Sequence, residues 1–103
     1  MDTPLIRRVR VLRRGQADLE AIERYVAVDS PAAAARLVDR LLEAIESLSE
    51  LAERAVTPKD ARLASLGFRC LSRRPYLIFF RLHRAEVRVH RILHGRRAYQ
   101  HLL

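Results

Sequence analysis

Apolar residues recur at three- and four-residue steps through the first half of the chain, which is the spacing of an amphipathic helix. Over residues 16–28 this stripe consists of Leu19, Ile22, Tyr25 and Val26, and charged residues occupy the opposite side. The pattern therefore predicts a first helix of about three turns.

Ser30 and Pro31 mark the start of a second, longer helix. Serine is a favoured N-cap, and proline is tolerated at the first helical position because no intrahelical bond needs its missing N–H. The apolar stripe continues to Leu51, and the residue before Pro58 is pushed out of the helical basin. Since the two helices are separated only by Asp29 and Ser30, we expect an antiparallel helical hairpin.

Outside the helices the period changes from 3.6 to 2, which predicts four strands. The first covers residues 6–12, and Gly15 is expected to break this strand. Residues 66–72 and 87–93 alternate apolar and polar positions. Residues 76–83 between them are richly apolar, as in a central strand buried on both faces. Short turns join these three strands, so we expect an antiparallel meander.

The order strand–helix–helix–strand–strand–strand predicts an α+β protein of two layers, with the helical hairpin packed on a mainly antiparallel four-stranded sheet. A chain of 103 residues is expected to form one domain, residues 1–103. No apolar run approaches the roughly 20 residues that cross a bilayer, and the first 14 residues lack a signal-peptide core. The single cysteine, Cys70, fits a reducing compartment. We therefore expect a cytoplasmic protein without a membrane partner.

Charge is distributed unevenly along the chain, whose formal net charge is +8. Residues 1–14 carry five arginines against one acid, and residues 15–60 carry ten acidic against five basic groups. Residues 61–103 carry ten arginines against Glu86 alone. This basic segment predicts a surface for an anionic partner, either nucleic acid or an acidic protein. The alternative is a solvated strand face whose charges prevent aggregation.

The motifs of several kinds of site are missing from the sequence. Without a glycine-rich phosphate loop, a cysteine pair or a helical His-x-x-x-His motif, we expect neither a metal nor a cofactor. His90 and His94 share a strand face but lie about 13 Å apart along it. The carboxylates fall mostly on exposed helix faces, which disfavours a two-carboxylate hydrolase. Cys70 is expected to be a small buried hydrophobe rather than a nucleophile.

The remaining candidates are basic and aromatic residues near the C-terminus: Arg69, Arg88, His90, Arg91, His94, Arg96, Arg97 and Tyr99. Arginines can hold phosphate oxygens bidentately, which gives affinity without a reaction. They can also stabilise a phosphoryl transition state while histidine or tyrosine moves protons, as RNA cleavage through an internal 2′-hydroxyl requires. The residues alone leave both functions open, beside plain surface charge.

Five segments, taken in order, resemble the toxins of the RelE/ParE superfamily from bacterial type II toxin–antitoxin modules. They are ADLEAIERYV and SPAAAARLVDRLLEAIESL in the helices, LGFRCL and YLIFFRL in the strands, and VRVHRILHGRRAY near the end. Together they span nearly the whole chain. The ending RILHGRR is most similar to the ParE branch.

The two branches imply different functions on the same βααβββ fold. ParE-like toxins poison DNA gyrase and are not known as nucleases, so a ParE-like chain is expected to arrest growth by binding. RelE-like toxins are metal-independent endoribonucleases that cut messenger RNA on the ribosome, and Arg69, Arg91 and Tyr99 match their basic and aromatic positions. The gyrase interpretation is favoured because lysine is nearly absent and Tyr99 lies beyond the His-Gly-Arg-Arg turn. Its expected target-binding residues are Arg69, Arg88, Arg91, His94, Arg96, Arg97 and Tyr99.

Either branch implies a cognate antitoxin and a hetero-oligomer with it. In the family the antitoxin's C-terminal segment wraps the toxin, adds helix or strand to its apolar grooves and covers its basic surface. The residues expected to contact it here are Leu19, Ile22, Tyr25 and Tyr76. A third hypothesis is a non-toxic member that serves only as an antitoxin partner.

Overall fold

The computed structural model describes residues 6–97 and residue 103. In chain order its elements are β1 (Arg8–Val11), α1 (Arg13–Ala27), α2 (Pro31–Leu51), a 3-10 turn (Ala52–Arg54), α3 (Ala61–Ser65), β2 (Phe68–Arg73), β3 (Tyr76–His83) and β4 (Glu86–His94). All the predicted helices and strands are present, and α3 and the 3-10 turn are additions. No helix in the described part of the chain is long and apolar enough to cross a membrane.

The four strands form one sheet in the order β1-β4-β3-β2. The last three strands pair antiparallel as a meander, and β1 pairs parallel with β4 at the far edge. The predicted α+β class and mainly antiparallel sheet are therefore confirmed. The parallel pairing places Arg8 opposite Glu86 and Val11 opposite Val89, so the first strand joins the last one.

The α1–α2 hairpin covers one face of the sheet and encloses the main core. Phe80 and its neighbours on this face are fully buried, whereas the adjacent Phe79 is buried on the opposite face. This confirms β3 as a strand buried on both sides. The buried members of the main core are Ile22, Leu37, Leu41, Ala44, Ile45, Leu48, Ala52, Tyr76, Ile78, Phe80, Val87, Val89 and Ile92.

Side-chain caps fix the starts of two helices. Ala33 N donates a 3.1 Å hydrogen bond to Ser30 Oγ, with Pro31 at the first helical position, as predicted for α2. Leu63 N donates a 2.9 Å hydrogen bond to Asp60 Oδ1 at the start of α3. The short α3 then places Leu63, which is fully buried, against the sheet face opposite the hairpin.

Gly15 lies inside α1, so the expectation that this glycine breaks the first strand is wrong, because β1 already ends at Val11 and α1 begins at Arg13. A Cβ atom at Gly15 would lie 3.1 Å from Val11 Cγ1 and 3.2 Å from the carbonyl oxygen of Val89. The glycine therefore lets the first turn of α1 lie directly against β1 and β4. Leu12 N donates a 2.9 Å hydrogen bond to the Val89 carbonyl at the same crossing. This contact explains why α1 begins at Arg13, earlier than its apolar stripe indicates.

Candidate functional site

The sheet face opposite the helical hairpin, here called the open face, carries three arginines in direct register. Arg10 of β1 stands opposite Arg88 of β4, and Arg88 stands opposite Arg81 of β3. The next residue in the same line is Phe68 of β2. Because neighbouring strands lie about 4.8 Å apart, the three arginines span roughly 10 Å. We call Arg10, Arg88 and Arg81 the arginine row.

The arginine row lines a groove with a volume of about 520 Å³, together with His83 and His90. Like charges directly opposite one another across strands are destabilising, so the row costs free energy in the unbound protein. Glu86 offsets part of this repulsion, since Arg88 Nε donates a 2.6 Å hydrogen bond to Glu86 Oε1.

The Glu86 carboxylate does not neutralise the whole arginine row. The hydrogen bond from Arg88 lowers the pKa of Glu86, which keeps this carboxylate ionised. Its Oε1 lies 4.0 Å from NH1 of Arg10, whose side chain remains 62% exposed. The carboxylate contacts Arg88 and Arg10, whereas Arg81 donates to His90 and to the Leu66 carbonyl oxygen, so the groove keeps an excess of positive charge.

A β-bulge places His90 beside the arginine row. Phe79 is opposite Arg91 and Phe80 is opposite Val89, so His90 is an extra residue in β4. The His90 ring meets the Phe68 ring edge-on, with centroids 5.0 Å apart. Bulges commonly re-aim side chains next to functional sites.

Arg81 connects His90 to the row. Its Nε donates a 3.3 Å hydrogen bond to His90 Nε2, and its guanidinium carbon lies 4.7 Å from the centroid of the Phe68 ring. Burial, together with the charges of Arg81 and Arg88, lowers the pKa of His90. The neutral imidazole is the form that can accept the bond from Arg81, so the row gains no further charge at neutral pH.

The other half of the open face is apolar. Its buried cluster is Leu63, Phe68, Cys70, Phe79 and Leu93, with Leu77 and Leu103 packed against it. Burial raises the pKa of the Cys70 thiol to about 11, so the thiol stays protonated at neutral pH.

A cavity of about 260 Å³ lies between this cluster and the start of α1, and Leu103 is among its lining residues. No group of three or more metal-ligating side chains occurs among the described residues.

Arg69 does not join the arginine row. It is opposite Phe80, and therefore lies on the helix-facing side of β2. Its NH1 group lies 3.4 Å from the Glu53 carbonyl oxygen, to which it donates a hydrogen bond. Arg69 and Arg88 thus stand on opposite faces of the sheet.

Arg91 is held in a bidentate ion pair with Asp18 of α1. Arg91 Nε lies 2.7 Å from Asp18 Oδ2 and its NH2 lies 2.9 Å from Oδ1, while Ile92 N donates a 2.9 Å bond to the same carboxylate. The two side chains are only 15% and 14% exposed. The hydrogen bond to Asp18 raises the pKa of Arg91. Arg91 thus fastens α1 to β4 directly after the bulge.

The other described residues of the predicted target-binding set lie at the end of β4 or in the turn after it. The His94 ring packs edge-on against Tyr76, with centroids 5.6 Å apart, and its Nδ1 accepts a hydrogen bond from Arg96 N. Arg96 and Arg97 are exposed in the turn that follows. Tyr99 lies outside the described residues. Of the predicted set, Arg88 alone among the described residues belongs to the arginine row.

The four residues expected to contact an antitoxin differ in exposure. Ile22 and Tyr76 belong to the main core, at 9% and 8% exposed, and Leu19 packs against that core. Burial, with a smaller effect of Tyr25, raises the pKa of Tyr76. Tyr25 is 79% exposed and the neighbouring Val28 is 84% exposed, so the end of α1 presents an apolar tip.

Comparison with known proteins identifies one family. Residues 9–99 match the model of the family described as the ParE toxin of the type II toxin–antitoxin system parDE. A chain of the chromosomal ParDE toxin–antitoxin system from P. aeruginosa is similar in structure, with 28% identity and a TM-score of 0.71. That alignment covers 86% of this chain and 96% of the other.

A second solved structure shares the fold. A chain of the toxin–antitoxin complex RelBE2 from Mycobacterium tuberculosis aligns with 23% identity and a TM-score of 0.67, covering 91% of this chain and 97% of the other. No curated protein sequence matches the chain.

Proposed function

The chain belongs to the ParE toxin family of type II toxin–antitoxin systems, and from this premise we propose that it poisons DNA gyrase in the cytoplasm and thereby arrests growth. The observation that supports a binding toxin is the arginine row, a cationic line held on three adjacent strands. Such a surface attracts an anionic target and fixes its register, and it needs no reacting group.

The positions of Arg69 and Arg91, the described members of the predicted nuclease set, favour a binding toxin over a nuclease. A phosphoryl-transfer site needs its charged groups to converge on one phosphate. Arg69 lies on the helix-facing side of the sheet, and Arg91 is engaged by Asp18. These two arginines therefore do not meet in the groove that Arg88 lines.

One observation favours a second candidate function, metal-independent cleavage of messenger RNA on the ribosome. His90 has a lowered pKa and lies beside Arg81 and Arg88. Once Nε2 of the neutral His90 imidazole is released from its bond to Arg81, it can take a proton from a ribose hydroxyl, and neighbouring guanidinium groups can stabilise the charge that develops on the phosphate.

A supercoiling assay with purified toxin and gyrase, run beside in vitro translation, separates the two functions. We expect inhibition of plasmid supercoiling while translation continues. Arg88→Gln should weaken this inhibition about tenfold or more, since it removes the middle charge of the row, and Arg36→Gln on the exposed side of α2 should leave it unchanged.

The other outcomes of this assay contradict the gyrase proposal. Codon-phased cuts in messenger RNA with normal supercoiling would establish the ribonuclease instead, and His90→Gln should then abolish the cuts. Inactivity in both assays would contradict both functions and would support the non-toxic antitoxin partner.

We also propose that a cognate antitoxin neutralises the toxin in a hetero-oligomer and contacts the apolar tip of α1. Tyr25 is the exposed member of the four expected contact residues, and aromatic side chains often dominate interface energies. Tyr25→Ala should lower antitoxin affinity at least tenfold in a calorimetric titration. Glu20→Ala, an exposed change on the same helix, should not. Equal affinities for both variants would place the contact elsewhere.

A further inference from the structure

We infer that the arginine row is a site for the phosphodiester backbone of single-stranded nucleic acid. This inference deepens the proposed function, on which its biological role rests, because it assigns nucleic acid rather than protein as the ligand of Arg10, Arg88 and Arg81. The geometry of the groove, its charge and the planar groups beside it support the assignment in turn.

The geometry suits an extended polyanion. The row crosses three strands in register, spans roughly 10 Å and lines a groove of about 520 Å³. A groove of this volume is in the range that encloses a small ligand, so it accommodates a short stretch of one strand rather than the width of a duplex. Rigid strands hold the charges in place, which reduces the entropy lost on binding.

The excess of positive charge in the groove favours an anionic ligand. Guanidinium groups that face one another across strands repel, and the single carboxylate of Glu86 hydrogen-bonds Arg88 and lies 4.0 Å from Arg10. A bound phosphate relieves the repulsion in the same place. Arg8 of β1 is opposite Glu86 of β4, and it adds a further positive charge next to the Arg10 end of the row.

The planar groups beside the row favour nucleic acid over an acidic peptide. Arg81 lines the groove while its guanidinium lies over the Phe68 ring, and the His90 ring is packed edge-on against the same phenyl group. Guanidinium planes of this kind stack with bases in single-stranded complexes. A chain of carboxylates would use the charges of the row but not this stacked arginine.

The salt dependence of binding tests the assignment on the toxin alone. Fluorescence anisotropy with labelled DNA and RNA ten-mers of one sequence gives the affinity at several salt concentrations. Each neutralised phosphate of a single strand contributes about −0.7 to the slope of log K against log salt, so the row predicts a slope near −2. Arg88→Gln should reduce the slope by about 0.7 and Arg88→Lys should largely restore it. Arg36→Gln should keep the original slope.

Competition with an acidic peptide tests whether the row prefers phosphodiesters to carboxylates. Polyglutamate of the same charge should compete poorly, and equal competition would overturn the assignment to phosphodiesters, as would a wild-type toxin that binds neither oligonucleotide. Binding of both ten-mers supports a site that accepts DNA and RNA alike. Binding of one ten-mer alone also supports the site and identifies which of the two nucleic acids is its ligand.

The gyrase assay separates this inference from the proposed function. A toxin that inhibits gyrase but binds no oligonucleotide overturns the site and leaves the proposed function standing. A toxin that binds oligonucleotides while gyrase stays active supports the site and contradicts gyrase poisoning.

Discussion

The two faces of the sheet use the same strands for different purposes. On the helix-facing side, Val9, Phe80 and Val87 are packed beneath α1 and α2, whereas on the open face the neighbouring Arg10, Arg81 and Arg88 form a charged line. Successive residues of a strand point to opposite faces, so stability and binding are encoded at alternate positions. Substitutions one residue apart should therefore separate folding from function.

The largest effect is expected on the helix-facing side. Phe80 is fully buried, so Phe80→Ala should lower the free energy of unfolding by about 3–5 kcal/mol. Arg10→Gln, on the exposed side of β1, should change it by no more than about 0.5 kcal/mol. Urea unfolding followed by circular dichroism measures both. A cost for Arg10→Gln comparable to that of Phe80→Ala would show that the open face also carries the fold.

A smaller effect is expected where α1 is fastened to the edge of β4. Asp18→Asn removes the charge that holds Arg91 and weakens the bond to Ile92 N, so the free energy of unfolding should fall by about 2–3 kcal/mol, within the range for hydrogen bonds to charged groups. Asp39→Asn, an exposed change on α2, should remain within about 0.5 kcal/mol of wild type. Equal midpoints of urea unfolding for the two variants would contradict this role of Asp18.

Gly15 tests how closely the helix layer approaches the sheet. Glycine to alanine inside a helix normally stabilises by about 1 kcal/mol. At Gly15 the new methyl group would meet Val11 and the Val89 carbonyl, and overpacking costs about 1–3 kcal/mol. We expect Gly15→Ala to be net destabilising by about 1 kcal/mol in thermal or urea unfolding. A higher stability would mean that the layers can separate without cost.

The smallest effect is expected on the open face, from the protonation of His90. Its pKa is lowered in the folded protein, so its contribution to stability is complete above the ordinary value of 6.5. As the pH falls below 6.5 toward the folded pKa, the unfolded chain binds the proton first and stability decreases. His90→Gln should remove this part of the pH dependence, and His83→Gln, an exposed change, should retain it. Identical pH profiles for wild type and His90→Gln would contradict the burial of a neutral imidazole.

Local patterns predict most of the fold because its elements have strong local signals. Periodicity locates both long helices and the three meander strands, and Ser30-Pro31 marks the start of α2. The short α3 was missed because its signal is one capping aspartate, Asp60, before five helical residues. Gly15 was misjudged because its contact with Val89 joins parts of the chain that no local pattern relates.

The candidate site was less predictable, since it depends on long-range register. Arg88 was identified, but Arg10 and Arg81 join it only through the pairing of β1 with β4 and of β4 with β3. The bulge at His90 also breaks the simple alternation that the prediction assumed for β4. The sequence predicts target binding for Arg91 because its partner Asp18 lies on a distant helix whose carboxylates are expected to be solvated.

The parallel pairing of β1 with β4 also determines when, during synthesis, the sheet can form. Arg8 is opposite Glu86, so all the residues between β1 and β4 must be synthesised before β1 finds its partner. Ribosomes add about 5–20 residues per second, which leaves roughly 4–15 s between the two strands. During that interval Arg10 is present without Arg81 and Arg88. A nascent chain that has not yet reached β4 therefore lacks the assembled surface, which forms only after β4 has been synthesised.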